Sequence, residues 1–357
     1  MRRRLGFWTI LMFLSVFSMA GCTSVSSVED IEEVADTQNV MEDDTDEGLI
    51  VIGFSQVGAE SDWRKANTES MVKTFTREKG YDLILEDAQQ KQQNQITAIR
   101  TFIQREVDYI VLAPVTEDGW DTVLTEAKDA GIPVIIVDRM VNVSDPELFK
   151  CWVGSDFELE GRKACEWLRN YCENKEIAPE EVNIVDIQGT AGASSQIGRT
   201  KGLKDAVRAN GWNLLEEAAG EYTQAKGREA TSRLLRKYDN INVVYCENDN
   251  EAFGAIEAIE SAGRKVGNNI TAGQIMVISF DGVSDQAIEY AKNGKISCIG
   301  ECNPLHGPRV EKIIQNLQQG VTPDKYEYVD EDIFSGDSTV TSIEVNDSVY
   351  TIKILGK

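Results

Sequence analysis

The 357-residue chain carries 36 Lys and Arg against 60 Asp and Glu, a net charge of −24, with 41% hydrophobic and 27% charged residues. That length suits two domains of ordinary size, and the composition is that of a folded, soluble protein. The acidic balance excludes a phosphate-backbone binder, so no nucleic-acid partner is expected, and it excludes unaided adsorption to anionic lipid.

At the N-terminus, Arg2, Arg3 and Arg4 precede an apolar run over 5–17 that is short for a membrane span. Met19-Ala20-Gly21-Cys22 follows, and small residues before a Cys at this point are similar to a bacterial lipoprotein cleavage site. The expectation is a signal peptide over 1–21 and lipid on Cys22; the alternative is a secretory signal with a chance Cys. Residues 23–48 hold ten Asp and Glu and no Lys or Arg, so 22–48 is expected to be an extended, disordered acidic tether.

From 49 onward strands and helices alternate. LIVIGFS at 49–55 predicts a strand, 63–79 a helix stopped by Gly80, and 81–86 a second strand. Ile96, Ile99 and Ile103 share one face of a helix over 94–104. YIVLA at 109–113 is a buried strand, and 122–130 a helix closed by Gly131. GIPVIIVDR at 131–139 then sets four apolar residues in a row, the mark of a strand covered on both faces, with Asp138 and Arg139 at its carboxyl end. Ligands of open α/β sheets bind outside that end of the strands.

The rhythm restarts after Val153-Gly154-Ser155. Helices are expected over 159–171, 197–210, 226–237 and 252–262, and strands over 182–188, 214–222, 241–247 and 275–281. Two successive blocks of strand–helix alternation mean two parallel-sheet α/β domains. Candidate crossings between them are Ser155-Asp156 and Glu301-Cys302, which places a ligand cleft between the facing carboxyl edges.

Six further cysteines stand at 151, 165, 172, 246, 298 and 302. Cys165 and Cys172 on one helix would lie about 10 Å apart along its axis, beyond disulfide reach. With no CxxC and one histidine, His306, neither a metal nor a cofactor is expected, and the cysteines read as small buried hydrophobes.

Nine stretches carry a specific resemblance: IGFSQVGAESDWR (52–64), DAQQKQQNQITAIRTF (87–102), APVTEDGW (113–120), DAGIPVIIVDR (129–139), IQGTAGASSQIGRTKG (187–202), EYTQAKG (221–227), ENDNEAFGAIEAI (247–259), SFDGVSD (279–285) and GECNP (300–304). With them the chain resembles the type I periplasmic-binding-protein sugar receptors of ABC importers, ribose/galactose class, nearest its galactofuranose-binding members. The resemblance spans roughly 49–325 and is loose from Tyr326. It implies two doubly wound parallel-sheet lobes joined by a hinge: 49–155 plus 302–330, and 156–301 plus 331–357. It implies a monomeric, extracytoplasmic lipoprotein that captures a monosaccharide and delivers it to an ABC permease and its ATPase. The alternative output is presentation of the sugar to a sensor kinase or chemoreceptor.

The ligand residues implied by the resemblance are Glu60, Trp63 and Arg64; Asp138 and Arg139; Arg199, Tyr222, Asn248 and Asp281; and Glu301. Their chemistry suits a sugar. Carboxylates accept several hydroxyl protons, Arg presents donors in a fixed fork, and Trp63 and Tyr222 offer flat faces to ring C–H groups. Each has a plainer reading. Trp63 would be core, Tyr222 a sheet edge, Arg199 a cap on the Gly-rich turn, and Glu301 a hinge ion pair. Trp120 is expected to pack inside its loop, Gln89, Gln90 and Lys91 to buttress the site, and His306 to be structural. Asp62 stands where the relatives tend to have Gly, which leaves room for another pentose or hexose.

Two other functions are weighed. A transcription repressor on this fold lacks its helix-turn-helix here. A glycosidase would pair Asp138 with Asp281 or Glu60 with Glu301, but three intervening Arg are expected to hold those acids ionised and poor as proton donors. GTAGAS at 189–194 resembles a phosphate loop but lacks the Lys-Ser/Thr ending.

Overall fold

The computed structural model describes residues 48–356; the segments expected to be a signal peptide and an acidic tether, with Cys22, lie outside the described residues up to residue 47. In chain order the first block is β1 (Ile50–Gln56), α1 (Asp62–Thr74), β2 (Tyr81–Asp87), α2 (Gln92–Gln104), β3 (Tyr109–Leu112), α3 (Asp121–Asp129), β4 (Val134–Val137) and β5 (Cys151–Gly154). The second is α4 (Phe157–Asn174), β6 (Asn183–Gln188), α5 (Ser194–Asn210), β7 (Asn213–Ala219), α6 (Gln224–Lys237), β8 (Val243–Cys246), α7 (Asp249–Ser261), β9 (Lys265–Val266), β10 (Gln274–Asp281), α8 (Asp285–Lys292) and β11 (Cys298–Glu301). Then come α9 (Gly307–Gln318), β12 (Tyr326–Tyr328), β13 (Ile333–Ser335), β14 (Ser342–Val345), β15 (Ser348–Thr351) and β16 (Lys353–Ile354).

Two main sheets result. The first runs β12-β5-β4-β3-β1-β2, with every pairing parallel. The second runs β16-β13-β11-β10-β8-β6-β7, parallel except where β13 meets β11, with β9 on the flank of β10. The fold is the doubly wound α/β class expected from the alternation. Strands β3, β4 and β8 are buried at every position, as unbroken apolar runs require. Each such Val, Ile or Leu contributes roughly 1.5–3 kcal/mol by leaving water.

The chain crosses between the sheets three times: after β5, after β11, and between β12 and β13. The tail, opaque in sequence, thus adds one strand to the first sheet and two to the second, and its β14–β15 hairpin packs on α4.

Two elements end earlier than their patterns suggest. The helix expected over 63–79 stops at Thr74, because Phe75 leaves helical geometry to pack edge-on against Tyr81 in the core. The strand expected over 214–222 stops at Ala219, and Glu221 and Tyr222 turn sharply with φ of 52° and 60°. The six described cysteines are free and buried, as small hydrophobes.

Candidate functional site

The carboxyl edges of the two sheets meet at a cavity of about 280 Å³ lined by Glu60, Ser61, Trp63, Arg64, Asp138, Arg139, Phe157, Ser195, Arg199, Tyr222, Asn248, Asp281 and Cys302. Nine of the ten sequence candidates are therefore brought together. Glu301 is not among the lining residues. Its carboxylate turns away to accept from the Asp332 amide at 2.8 Å, which ties β11 to the segment before β13.

Strand ends and helix starts position the side chains. Ser61 caps α1 by accepting from the Arg64 amide at 3.1 Å, and Asn248 caps α7 by accepting from the Glu251 amide at 2.8 Å. Asn248 also donates to the Tyr222 carbonyl at 3.2 Å, so half its polar capacity serves the fold. Asp138 and Asp281, at the ends of β4 and β10, sit at φ of 63° and 97°, and Tyr222 at 60°. Positive φ is costly for these residues and clusters where surrounding structure imposes it. Here the Asp138 backbone is pinned: its amide donates to Val153 O at 2.9 Å, and its carbonyl accepts from Trp152 Nε1 at 2.9 Å. Gly189 is required for a different reason, because a Cβ there would fall 1.9 Å from Tyr222 Cζ.

On the first-sheet wall Arg64 is held by three acceptors: Glu60 Oε1 at 3.1 Å, Gln56 Oε1 at 3.1 Å and Asp138 Oδ2 at 2.6 Å. Arg139 makes one hydrogen bond, to Val115 O at 2.9 Å, and stands 3.6 Å from Glu60 and 3.9 Å from Asp138. Its remaining donors and Glu60 Oε2, which has no donor partner, are the open polar groups of this wall. Trp63 donates from Nε1 to Cys302 O at 2.8 Å, which fixes its indole, and buried His306 packs edge-on behind it at 5.7 Å. Burial pushes the His306 imidazole down to about 4, so it is neutral.

On the second-sheet wall Arg199 donates to Glu160 Oε2 at 2.7 Å, to the Glu247 carbonyl, and to Asp281 Oδ1 at 3.5 Å. Tyr222 Oη shares a 2.6 Å hydrogen bond with Ser195 Oγ, and the Arg139 guanidinium stands 5.2 Å over the Tyr222 ring from the opposite wall.

The acids of the two walls differ. Burial would raise the Asp138 carboxyl, but the Arg64 and Arg139 guanidiniums outweigh it and hold the group below the usual range. Asp281 goes the other way: burial dominates, Arg199 opposes it, and Asp249, Glu160 and Asp138 add to the rise. The expectation that the Arg residues keep every acid ionised is thus corrected for Asp281, because one guanidinium serves several buried carboxyls.

The walls are also joined to each other. The Asp62 amide donates to Asn250 Oδ1 at 2.9 Å, the Met140 amide to Ser194 Oγ at 2.8 Å, and the Glu117 amide to Gly192 O at 2.9 Å. Arg64, Asp138, Arg139, Arg199, Tyr222, Asn248 and Asp281 are all no more than 5% exposed, so the arrangement is closed.

Ser61, Phe157, Ser195 and Cys302, the last expected only at a crossing, are lining residues that the sequence does not single out. Ser61, Ser195 and Cys302 fall inside stretches that carry the resemblance, and Phe157 stands just past the first crossing. Trp120 is buried and donates to Thr116 O at 2.7 Å, as a loop-packing residue. Gln89 and Gln90 turn with φ of 51° and 59° beside β1, and Lys91 precedes α2, outside the cavity lining.

Residues 52–306 match the periplasmic binding protein domain model. The chain is 36% identical over 300 residues to the galactofuranose-binding protein YtfQ of Escherichia coli K12, covering 83% of this chain and 91% of the relative. It is similar to a Mycobacterium smegmatis protein solved in complex with β-D-fucofuranose (TM-score 0.75, 36% identity, 81% of this chain and 92% of that one). It is also similar to the periplasmic binding component of the arabinose ABC transporter of Shewanella sp. ANA-3, bound to α- and β-L-arabinofuranose (TM-score 0.74, 35% identity, 81% and 93%). These relatives are binding proteins, not enzymes. From its two mainly parallel sheets, its closed cavity at their carboxyl edges and these matches, the chain belongs to the periplasmic binding protein family, with the type I fold.

Proposed function

We propose that the protein captures a neutral monosaccharide in its furanose form and delivers it to an ABC permease. The observation that carries this reading is the composition of the closed cavity: three guanidiniums, three carboxyl groups, an indole and a phenol within about 280 Å³. Arg64 and Arg139 are met by Glu60 and Asp138, and Arg199 by Glu160 behind it, so the lining holds no surplus cation for a uronate or a sugar phosphate. Each buried sugar hydroxyl needs a partner or costs about 1–3 kcal/mol, and Arg139, Glu60 Oε2 and Asp138 supply both donors and acceptors. That three similar proteins carry galactofuranose, fucofuranose or arabinofuranose in their names supports the five-membered ring.

In this reading the ligand residues are Glu60, Trp63, Arg64, Asp138, Arg139, Arg199, Tyr222, Asn248 and Asp281, with Glu301 serving the hinge. The lobes are 49–155 plus 302–330 and 156–301 plus 331–357, and they close over the sugar by a hinge motion. The protein works outside the cytoplasm as a monomer, held to the membrane through lipid on Cys22. An affinity near 1 μM, about −8 kcal/mol, suits capture and release.

Ring form is the sharpest test. L-Arabinose and D-galactose labelled with carbon-13 at the anomeric carbon are added to the protein, and the bound anomeric resonance is read. A furanose resonance is expected. A bound pyranose resonance overturns the furanose assignment while leaving sugar capture standing.

A further inference from the structure

The three connections between the sheets converge on one side chain. Glu331, between β12 and β13, accepts through Oε1 from Ser155 Oγ at 2.6 Å and from the Asn303 amide at 2.7 Å. Ser155 follows β5 and Asn303 follows β11, so one carboxyl group ties all three connections. Lys163 of α4 adds a bond to the Glu331 carbonyl at 2.9 Å.

A second carboxyl group stands against this one. One ligand atom each of Glu160, Cys302 and Glu331 lies within 4.8 Å of the others. Glu160 is 2% exposed, and its Oε2 holds the cavity residue Arg199 at 2.7 Å, while its Oε1 has no donor partner. Two carboxylates this close, one of them buried, repel each other when both are ionised, and sharing a proton removes that repulsion. A metal ion fits less well, because the Arg199 guanidinium already neutralises Glu160.

We propose that Glu160 and Glu331 share one proton at the hinge, and that this proton supports the closed arrangement, so that ligand release is coupled to its loss. The contact path is short. Glu331 binds the three connections, Glu160 touches Glu331, and Arg199 links Glu160 to the cavity and to Asp281. Without the proton, Glu160 faces a second negative charge, and repulsion drives Glu331, with the connections it holds, away from α4. Coupling to sugar rests on the binding reading above; the shared proton does not.

The charged and titratable groups around the pair are Glu160, Lys163 and Asp156 of α4 and its cap, Cys302 and Glu301 of the second connection, and Asp330 and Asp332 beside Glu331. Arg199 and Asp281 lie beyond Glu160, and Lys353 stands on Asp332. Burial, then Glu160, pushes the Glu331 carboxyl up to about 9, and burial raises Glu160 against the pull of Arg199. A proton held more tightly in the closed form gives a definite sign. Affinity falls as pH rises between the pKa of the open form and about 9, by at most about tenfold per unit for one proton, and is level above that.

Glu331→Gln mimics the protonated pair, since the amide oxygen still accepts from Ser155 and Asn303 while the amide nitrogen donates to Glu160. The infrared difference between wild type and this variant at neutral pH, without ligand, is expected to contain one protonated-carboxyl carbonyl band. If Glu331→Gln folds poorly, Glu160→Gln gives the same difference. Absence of the band from the difference with either variant, or a stoichiometric metal ion retained by wild type and lost by Glu331→Gln, overturns the shared proton. Affinities for L-arabinose, D-fucose and D-galactose are then measured across pH. A fall toward pH 9 in wild type and a level profile in Glu331→Gln are expected; a level wild-type profile overturns the coupling. Failure of all three sugars at every pH overturns the binding reading and the coupling with it, while the infrared band still decides the proton.

Discussion

On the first-sheet wall of the cavity, Asp138 ends β4 beside two guanidiniums; on the second-sheet wall, Asp281 ends β10 beside one. The backbone device is the same on both, a carboxyl group presented from a strand end at positive φ. The charge around it is not. Arg64 and Arg139 keep Asp138 below the usual carboxylate range, whereas Arg199 is shared among Glu160, Asp281 and the Glu247 carbonyl, with Asp249, Glu251 and Asp186 buried behind. Burial pushes the carboxyls of Asp186, Glu247 and Glu251 well above the ordinary range. The same strand-end motif thus carries a carboxyl held below its ordinary range on one wall and one pushed above it on the other, set by how many guanidiniums and how many other acids each can reach.

Removing a guanidinium from each wall should break this comparison most strongly. Arg199→Ala leaves Glu160 and Asp281 buried without a cation and is expected to cost about 3–5 kcal/mol of folding stability in urea titrations. Arg64→Ala leaves Arg139 within 3.6–3.9 Å of Glu60 and Asp138, and a smaller loss of about 2 kcal/mol is expected. Equal losses would mean that the walls are not charged differently in any energetic sense.

Arg139→Ala separates binding from folding. Its single hydrogen bond to the chain, at Val115 O, contributes little, but its free donors face the cavity. Sugar affinity should fall at least roughly a hundredfold by calorimetry, with the urea midpoint close to wild type. Near-normal affinity would remove Arg139 from the site.

The pH profile of stability sharpens the contrast. Asp138 is depressed in the folded state, so its contribution is present above its ordinary value and is lost as pH falls through the folded one. Asp249 is pushed up by burial to about 6, so its contribution is complete below its ordinary value and is lost as pH rises through about 6. Asp138→Asn should flatten the acid limb of the urea-midpoint profile. Asp249→Asn should flatten the decline between about pH 4 and 6, worth roughly 3 kcal/mol. The opposite assignment of limbs would contradict the charge argument.

The smallest effect belongs to the rim. Asn250→Ala removes the bond across the cleft from the Asp62 amide, and about 0.5–1.5 kcal/mol of the closed state with it. Affinity should drop about threefold to tenfold through faster dissociation in stopped-flow traces, with association unchanged.

The strand-end acids were legible because their sequence context is local. GIPVIIVDR encodes a covered strand and then a charge, and IMVISFD repeats the device at Asp281. Tyr222 is expected at the cavity from sequence and lines it, but it is expected in a strand, since nothing in EYTQAKG signals left-handed turns at Glu221 and Tyr222. Glu301 carries the same strand-end signature as Asp281, yet the antiparallel pairing of β11 with β13 draws its carboxylate to the Asp332 amide. Glu160, Asp186 and Glu331 escaped notice altogether. An acid buried by elements distant in sequence has no periodicity of its own, and Glu331 lies in a tail where the alternation of strand and helix has ended.

Whether the cavity holds one small neutral sugar is tested most directly by a thermal-shift titration of residues 49–357 against pentoses, hexoses, a uronate and a sugar phosphate. A ligand at a hundred times its dissociation constant adds about 2.7 kcal/mol of stability, a visible rise in melting temperature. A strong shift with one or a few neutral sugars that populate furanose rings, and none with the charged ones, is the predicted result. Silence across the neutral sugars, or a larger shift with an anionic one, would contradict it.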